Sequence, residues 1–228
     1  KYAPLLECVE KPGRYVGGEY SSDVPNPENA ELRVCFCFPD IYEIGMSNLG
    51  MKILQGNFNN SGYISCERSY MPWPDMREQL ITPDLPLYAL ESGDAINKFD
   101  IVAFTLQYEL SYTNVIAMLG LGKLPLLSKD RSESDPIIIA GGPCAYNPEP
   151  IADFIDIFSI GEGEEALREI TSLIRDYKKE GKSKAEFLRA ASKIKGMYVP
   201  SLYEVSYGED GKIQKDAEGN ITTVYATY

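Results

Sequence analysis

Hydrophobic and polar positions along this chain fall into short blocks whose period switches repeatedly between that of a strand and that of a helix. Residues 32–38 form an apolar-rich run closed by Pro39-Asp40, as expected for a strand ended by a residue that cannot donate to the ladder. Ser47 then stands as N-cap of a helix with Ile53, Leu54 and Phe58 on its inner side. Residues 63–68 predict a second strand. Residues 70–87 hold four prolines and the single tryptophan, in Met71-Pro72-Trp73-Pro74-Asp75. They read as a rigid loop with a short helix over 76–80 and a brief strand over 87–89. The aromatic bulk of Trp73 is expected to fill a hydrophobic gap.

Residues 101–106 are the next strong strand. Ser111 follows as cap of a helix in which Tyr112, Val115, Ile116 and Leu119 recur at three- and four-residue steps before Gly120 and Gly122 stop it. Two further apolar runs, Ile137-Ile138-Ile139-Ala140 and Ile157-Phe158-Ser159-Ile160, each end abruptly at glycines, Gly141-Gly142-Pro143 and Gly161-Glu162-Gly163. A helix from Glu164 carries Leu167, Ile170, Ile174 and Tyr177 on one side and ends at Gly181. Ser183 and Glu186 have capping-box spacing ahead of Phe187, Leu188, Ala191 and Ile194, with Gly196 as terminator. Beyond Tyr198 the period changes again. Residues 203–207 and 221–225 alternate around the polar turns 208–210 and 218–220, the pattern of a small β-hairpin.

Continuous apolar runs that stop at glycine before a helical period are strands buried on both faces, and successive β-Gly-α units imply a parallel sheet. The fold class is therefore α/β, a Rossmann-like doubly wound parallel sheet with an N-terminal arm and a small C-terminal β-hairpin. The expected division is an arm over 1–30, the α/β domain over 31–200 and a hairpin or linker over 201–228. Ligands of such sheets lie outside the carboxyl ends of the strands. The glycines mark that rim, where backbone is bare.

Composition narrows the chemistry. The 228 residues carry a net charge of -12, which argues against a broad phosphate-binding surface and direct duplex binding. No apolar run reaches the length of a membrane span, and residues 1–14 lack a signal-peptide pattern; a cytoplasmic location is expected. Five cysteines, at 8, 35, 37, 66 and 144, are too irregular for a disulfide framework. Cys35 and Cys37 read as small buried hydrophobes. Histidine is absent, which removes the commonest metal ligand and general base.

The candidate site residues follow from the rim. Gly141 and Gly142 make either a tight, closely packed turn or a cofactor contact. Gln107-Tyr108-Glu109-Leu110-Ser111-Tyr112 places an unusual density of polar groups just past a buried strand. Cys144, after Gly-Gly-Pro and near a helix start, is either inert or a thiolate able to meet a metal or substrate. Glu162 and Glu164 have the chemistry of a general acid or a metal ligand, but at a helix N-terminus they read first as carboxylates complementing the dipole. A Walker A loop and a G-x-G-x-x-G fingerprint are both absent, since Ala166 stands where the third glycine would be.

Four segments in order, Arg14-Tyr15-Val16-Gly17-Gly18-Glu19, Phe38-Pro39-Asp40-Ile41-Tyr42-Glu43-Ile44-Gly45-Met46-Ser47, Gly141-Gly142-Pro143 and Gly161-Glu162-Gly163-Glu164, resemble the amino-terminal portion of radical S-adenosylmethionine proteins with a cobalamin-binding-like domain. The resemblance covers most of residues 14–207. It implies a Rossmann-like module in front of a barrel whose iron–sulfur cluster is held by a C-x-x-x-C-x-x-C motif. That motif does not occur here, so the cluster and S-adenosylmethionine are expected only in a barrel beyond Tyr228, with that barrel as the module's partner. The resemblance further implies cobalamin along the carboxyl edge, with Thr105, Gln107, Gly141 and Gly142 at matching positions, and Tyr108 and Cys144 beside them. Where related folds carry a D-x-H-x-x-G loop, this chain reads Asp40-Ile41-Tyr42-Glu43-Ile44-Gly45. Tyr42 replaces the histidine ligand, leaving Tyr42, Gln107 or water for the lower face. The alternative is a sheet that keeps the architecture without the ligand and serves as a docking scaffold.

Overall fold

The computed structural model describes residues 2–20, 22, 27–205, 207, 209, 211–212 and 223–225. Six strands form one sheet in the order β2-β1-β3-β4-β5-β6: β1 Leu32–Phe38, β2 Ile64–Tyr70, β3 Ile101–Thr105, β4 Ile137–Gly141, β5 Ile157–Ser159 and β6 Met197–Tyr198. The first five strands pair parallel, and β6 runs antiparallel to β5. Helices α1 (Tyr42–Gly45), α2 (Leu49–Asn59), α3 (Pro74–Ile81), α4 (Tyr112–Leu121), α5 (Gly163–Glu180) and α6 (Lys184–Ala191) complete the unit.

Alternation along the strands separates two cores. Cys35, Cys37, Val102, Phe104, Ile138 and Phe158 face α3 and α4, while Val34, Phe36, Ile101, Ala103, Ile139 and Ile157 face α2, α5 and α6. Helices on both faces make the sheet doubly wound, as its double-sided apolar runs predict. Each fully buried Phe, Ile or Leu stabilises by roughly 1.5–3 kcal/mol, against at most about 1 kcal/mol for an exposed ion pair. The central strands therefore hold the fold, and the lysine-rich ends of α5 add little.

All five cysteines are free, and Cys35 and Cys37 are buried with their sulfurs 3.8 Å apart. Burial pushes the Cys35 thiol well above its ordinary value. Both fill space as expected. Among the described residues, no helix is long and apolar enough to cross a membrane.

Several local expectations are corrected. Asn48, not Ser47, caps α2, its Oδ1 accepting from the Met51 amide at 2.9 Å, while Ser47 Oγ donates to the Ile44 carbonyl. Ser111 Oγ donates to the Tyr108 carbonyl and does not cap α4. Strand β2 extends to Tyr70 because the loop over 88–96 covers it, with Ser69 Oγ donating to the Tyr88 carbonyl at 3.0 Å. Residues 87–89 contribute only an isolated antiparallel bridge, Tyr88 to Ala95, in place of a strand. Trp73 fills no gap: it is 42% exposed, with the Arg14 guanidinium 5.1 Å over its ring.

The arm packs against the α3 side, Tyr2 stacking on Tyr88 with ring centres 3.9 Å apart. The hairpin is present as β7 (Tyr203–Val205) paired antiparallel with β8 (Thr223–Tyr225). Its expected turn residues Gly208, Asp210 and 218–220, together with Ile221 and Tyr228, lie outside the described residues. The capping box of α6 is formed, Ser183 Oγ accepting from the Glu186 amide and Glu186 Oε2 accepting from the Ser183 amide at 3.0 Å. Ser183→Ala is expected to cost about 1 kcal/mol, read as a lower urea midpoint with unchanged slope.

Candidate functional site

The chain leaves β1 through α2 toward β2 and later crosses to β3 on β1's other side, so the loops after β1 and β3 diverge. Their divergence opens a crevice at the carboxyl edge, where open α/β sheets bind ligands. The crevice is a cavity of about 220 Å³. Its floor is Phe36, Ala103 and Ile139; Leu54 of α2 and Leu167 of α5 form its walls. Asn48, Thr105, Gln107, Ser159, Glu162 and Glu164 ring its mouth.

Backbone geometry shapes the slot's end. Gly142 adopts φ 100° and ψ -178°, and a Cβ there would sit 2.9 Å from the Leu106 carbonyl oxygen. Only glycine accommodates both. The Leu106 amide donates to the Gly141 carbonyl at 2.7 Å and the Cys144 amide to the Leu106 carbonyl at 3.1 Å, so the loops after β3 and β4 are laced together beside the cavity. Gln107 Nε2 donates to Thr105 Oγ1 at 2.5 Å. Helices α2 and α5 both begin at the mouth, presenting the partially positive ends of their dipoles.

The slot brings together Thr105, Gln107, Gly141 and Gly142 among the residues singled out from sequence. Three others lie elsewhere. Tyr42 donates its hydroxyl to Glu19 Oε1 at 2.8 Å and packs edge-on against Tyr70, with ring centres 5.4 Å apart. Burial and that hydrogen bond push its phenol up to about 12. Tyr108 donates to Asp40, bridging the loops after β3 and β1. Its phenol is raised by that bond. Cys144 is buried on the α4 side of the sheet, below the Tyr112 hydroxyl that donates to its carbonyl at 3.3 Å. Burial, with Glu109 nearby, raises the thiol. Of the two readings of Cys144, this geometry favours the inert thiol over the thiolate.

The first turn of α2 was not singled out from sequence, although Asn48, Gly50 and Met51 all line the slot. Its signal was the small residue Gly50 just past a polar cap after the first strand. Ser159 was missed because it looked like strand interior. Among the described residues, no group of three or more His, Cys, Asp or Glu side chains could hold a metal ion.

A larger cavity of about 520 Å³ lies at the opposite, amino-terminal edge, around Arg131, Asp156 and Lys184. Its charges are spent on each other: Asp156 accepts from Ser128 Oγ and the Ile138 amide and pairs with Arg131 and Lys184, each at 3.3 Å. Size alone does not make it the site.

Comparison with known proteins identifies the family. The family model described as radical SAM proteins, N-terminal, matches residues 50–200. An uncharacterized protein of Methanocaldococcus jannaschii is 29% identical over 151 residues, covering 65% of this chain and 28% of that protein. The chain therefore spans under a third of this relative. Among solved structures, the radical S-adenosylmethionine methyltransferase TsrM from Kitasatospora setae, with tryptophan substrate and a SAM analogue bound, is similar at a TM-score of 0.45 and 16% identity, over 78% of this chain and 29% of that one. The family match runs from the first turn of α2 to just past β6, and the chain belongs to the radical SAM proteins, as their N-terminal region.

Proposed function

We propose that this region is the cofactor-holding front module of a radical SAM enzyme, with its slot receiving the nucleotide tail of a cobalamin whose macrocycle rests on the rim. In this reading residues 31–200 are the holding domain, 1–30 an arm, and 201–228 the lead into the catalytic barrel of the same parent chain. That barrel would carry the iron–sulfur cluster and S-adenosylmethionine.

The slot itself supports the reading. At about 220 Å³ it is smaller than the roughly 300–1,000 Å³ pockets that enclose a whole drug-sized ligand, so it suits a benzimidazole-sized tail and leaves the larger ring outside. Leu54 and Leu167 would sandwich the tail, and the bare backbone at Gly141 and Gly142 would allow its close approach. Bound there, cobalamin would supply a cobalt centre that accepts and releases a methyl group. The Tyr42 hydroxyl is committed to Glu19 and the Gln107 amide to Thr105. The chain has no histidine, and of these two side chains only the Gln107 carbonyl oxygen, which the Nε2 bond to Thr105 does not use, would remain able to approach the metal.

Full-length protein mixed with hydroxocobalamin is expected to retain corrin absorbance through gel filtration. In Gly163→Leu the new side chain would enter the slot beside Leu54 and Leu167, where a Cβ meets only ordinary contacts at 3.5–3.8 Å. This variant is expected to lose the corrin at unchanged melting temperature. No retention by the full-length protein would reject the reading.

A docking scaffold is the second reading, favoured by the apolar side chains left uncovered around the rim. Leu49 is 70% exposed and Leu110 85%, with Ile44, Ile53 and Tyr146 also exposed. Apolar surface of this kind marks an interaction site, and the barrel is the proposed occupant. Hydrogen exchange of the full-length protein without cobalamin discriminates: a scaffold predicts protected rim loops with no corrin bound.

A further inference from the structure

The segment Arg14-Tyr15-Val16-Gly17-Gly18-Glu19 packs across the loop between β1 and α2. Its upstream part is firmly held: Tyr88 donates its hydroxyl to the Tyr15 carbonyl at 3.1 Å, the Tyr15 hydroxyl accepts from the Trp73 amide at 3.1 Å, and Arg14 grips Glu43 at 2.8 Å. Beyond Tyr15 the character changes. Val16 is exposed, and Gly17 and Gly18 take φ of +60° and +73°, with a Cβ on Gly17 falling 2.9 Å from the Leu90 carbonyl oxygen. Such a pair is a left-handed corner. Glu19, just past it, makes two contacts: Oε2 takes Arg68 Nη2 at 2.5 Å, and Oε1 takes the Tyr42 hydroxyl at 2.8 Å.

Charge balance shows which of these groups can do without the others. Arg68 is buried in β2, and its Nε and backbone amide both donate to the buried Glu91, at 2.6 and 2.7 Å. Arg68 and Glu91 already form a neutral, hydrogen-bonded pair, the condition a buried ion needs. Glu19 is a second carboxylate on a guanidinium that has its partner. Withdrawing Glu19 strands no buried charge on the body; it frees the Tyr42 hydroxyl.

We propose that Glu19, carried on the Gly17-Gly18 corner, is a releasable latch that positions Tyr42 and thereby the loop after β1, holding that phenol on the β2 side of the rim and out of the slot. The inference goes beyond the cobalamin reading and does not require it. Tyr42 sits at the third position of the Asp40-to-Gly45 loop, and Asp40 is tied by Tyr108 to the loop after β3, so the latch state reaches the crevice from its side. Glu19 is a positioning residue; it touches nothing in the slot.

Hydrogen exchange of the intact protein tests this. In Glu19→Ala, amides of residues 41–46 are expected to exchange roughly tenfold faster, the effect of losing one charge-assisted hydrogen bond, while those of β3 and β4 are unchanged. Glu19→Gln, which can still accept from Tyr42, is expected to be intermediate. Carbon-13 tyrosine NMR, with the Tyr42 signal assigned through Tyr42→Phe, is expected to show that phenol ionising at lower pH in Glu19→Ala than in the wild type. Unchanged exchange over 41–46, an equal increase throughout the sheet, or an unmoved Tyr42 titration would each overturn the latch. Because neither measurement involves cobalamin, failure here leaves the slot proposal to its own experiment.

Discussion

Asp156→Ala is expected to lower the unfolding free energy by about 3–5 kcal/mol, the cost of removing one member of a buried ion pair. Asp156 is 1% exposed and stands just before β5. It accepts from Ser128 Oγ at 2.6 Å and the Ile138 amide at 2.7 Å, and so ties the start of β4 to the start of β5. Its loss leaves Arg131 buried with only the carbonyls of Pro125, Leu126 and Phe154 as hydrogen-bond partners. Burial already pulls that guanidinium below its ordinary value, opposed mainly by Asp156. Lys184, nearer solvent, can rehydrate. Asp156→Asn should fall between alanine and wild type, because its single amide oxygen can still accept from the Ile138 amide while an NH2 group replaces the oxygen that takes Ser128. Urea unfolding measures both; a loss under about 1 kcal/mol for the alanine variant would show that hydrogen bonds to carbonyls alone satisfy Arg131.

The second large effect is expected at Gly142. A non-glycine residue at φ 100°, ψ -178° carries roughly 1–3 kcal/mol of backbone strain. The new Cβ would also press on the Leu106 carbonyl oxygen at 2.9 Å and the Leu106 nitrogen at 3.1 Å. Both are backbone atoms fixed by hydrogen bonds to Gly141 and Cys144. Gly142→Ala should therefore cost about 3 kcal/mol and open the end of the slot. Gly141→Ala is the internal control: its Cβ would meet Ser159 at 3.5 Å, ordinary contact, and the cost should stay under about 1 kcal/mol. Equal urea midpoints for the two variants would refute the assignment of strain to Gly142.

Much of this architecture is legible in the sequence because it is local. Ile137-Ile138-Ile139 and Ile157-Phe158 are apolar without alternation, which only a strand covered on both faces sustains, and both occur as parallel neighbours. The long helix from the second glycine pair has an acidic start and a glycine stop, and runs Gly163–Glu180. Strand β2 is harder to read. Its sequence, Ile-Ser-Cys-Glu-Arg-Ser-Tyr, is half polar yet buried throughout, and partners far along the chain meet three of its four polar side chains: Glu91 for Arg68, Arg33 for Glu67, and the Tyr88 carbonyl for Ser69. No local pattern announces such partners.

The site divides in the same way. Thr105, Gln107, Gly141 and Gly142 were visible as polar or glycine residues directly following buried strands, and the slot assembles them. Tyr42 follows a strand equally closely, but it lies outside the slot, packed on Tyr70 with its hydroxyl on Glu19, an arm residue outside the sheet. Cys144 sits after the glycine pair, where position suggests exposure, yet its turn folds under α4 and buries it. Trp73 shows the converse. Large aromatics usually reach a core, whereas here the proline on either side holds it at the surface beneath Arg14.

The two borders of the sheet constrain how anything else can join it. On one side β2 keeps the paired charges of Glu67 and Arg68 inside a covering loop; on the other β6 offers only two residues. Neither margin is a template on which a further strand could be added, a common defence against edge-to-edge assembly. A further strand is therefore disfavoured at either margin, whereas the loops at the carboxyl end leave Leu49 and Leu110 uncovered.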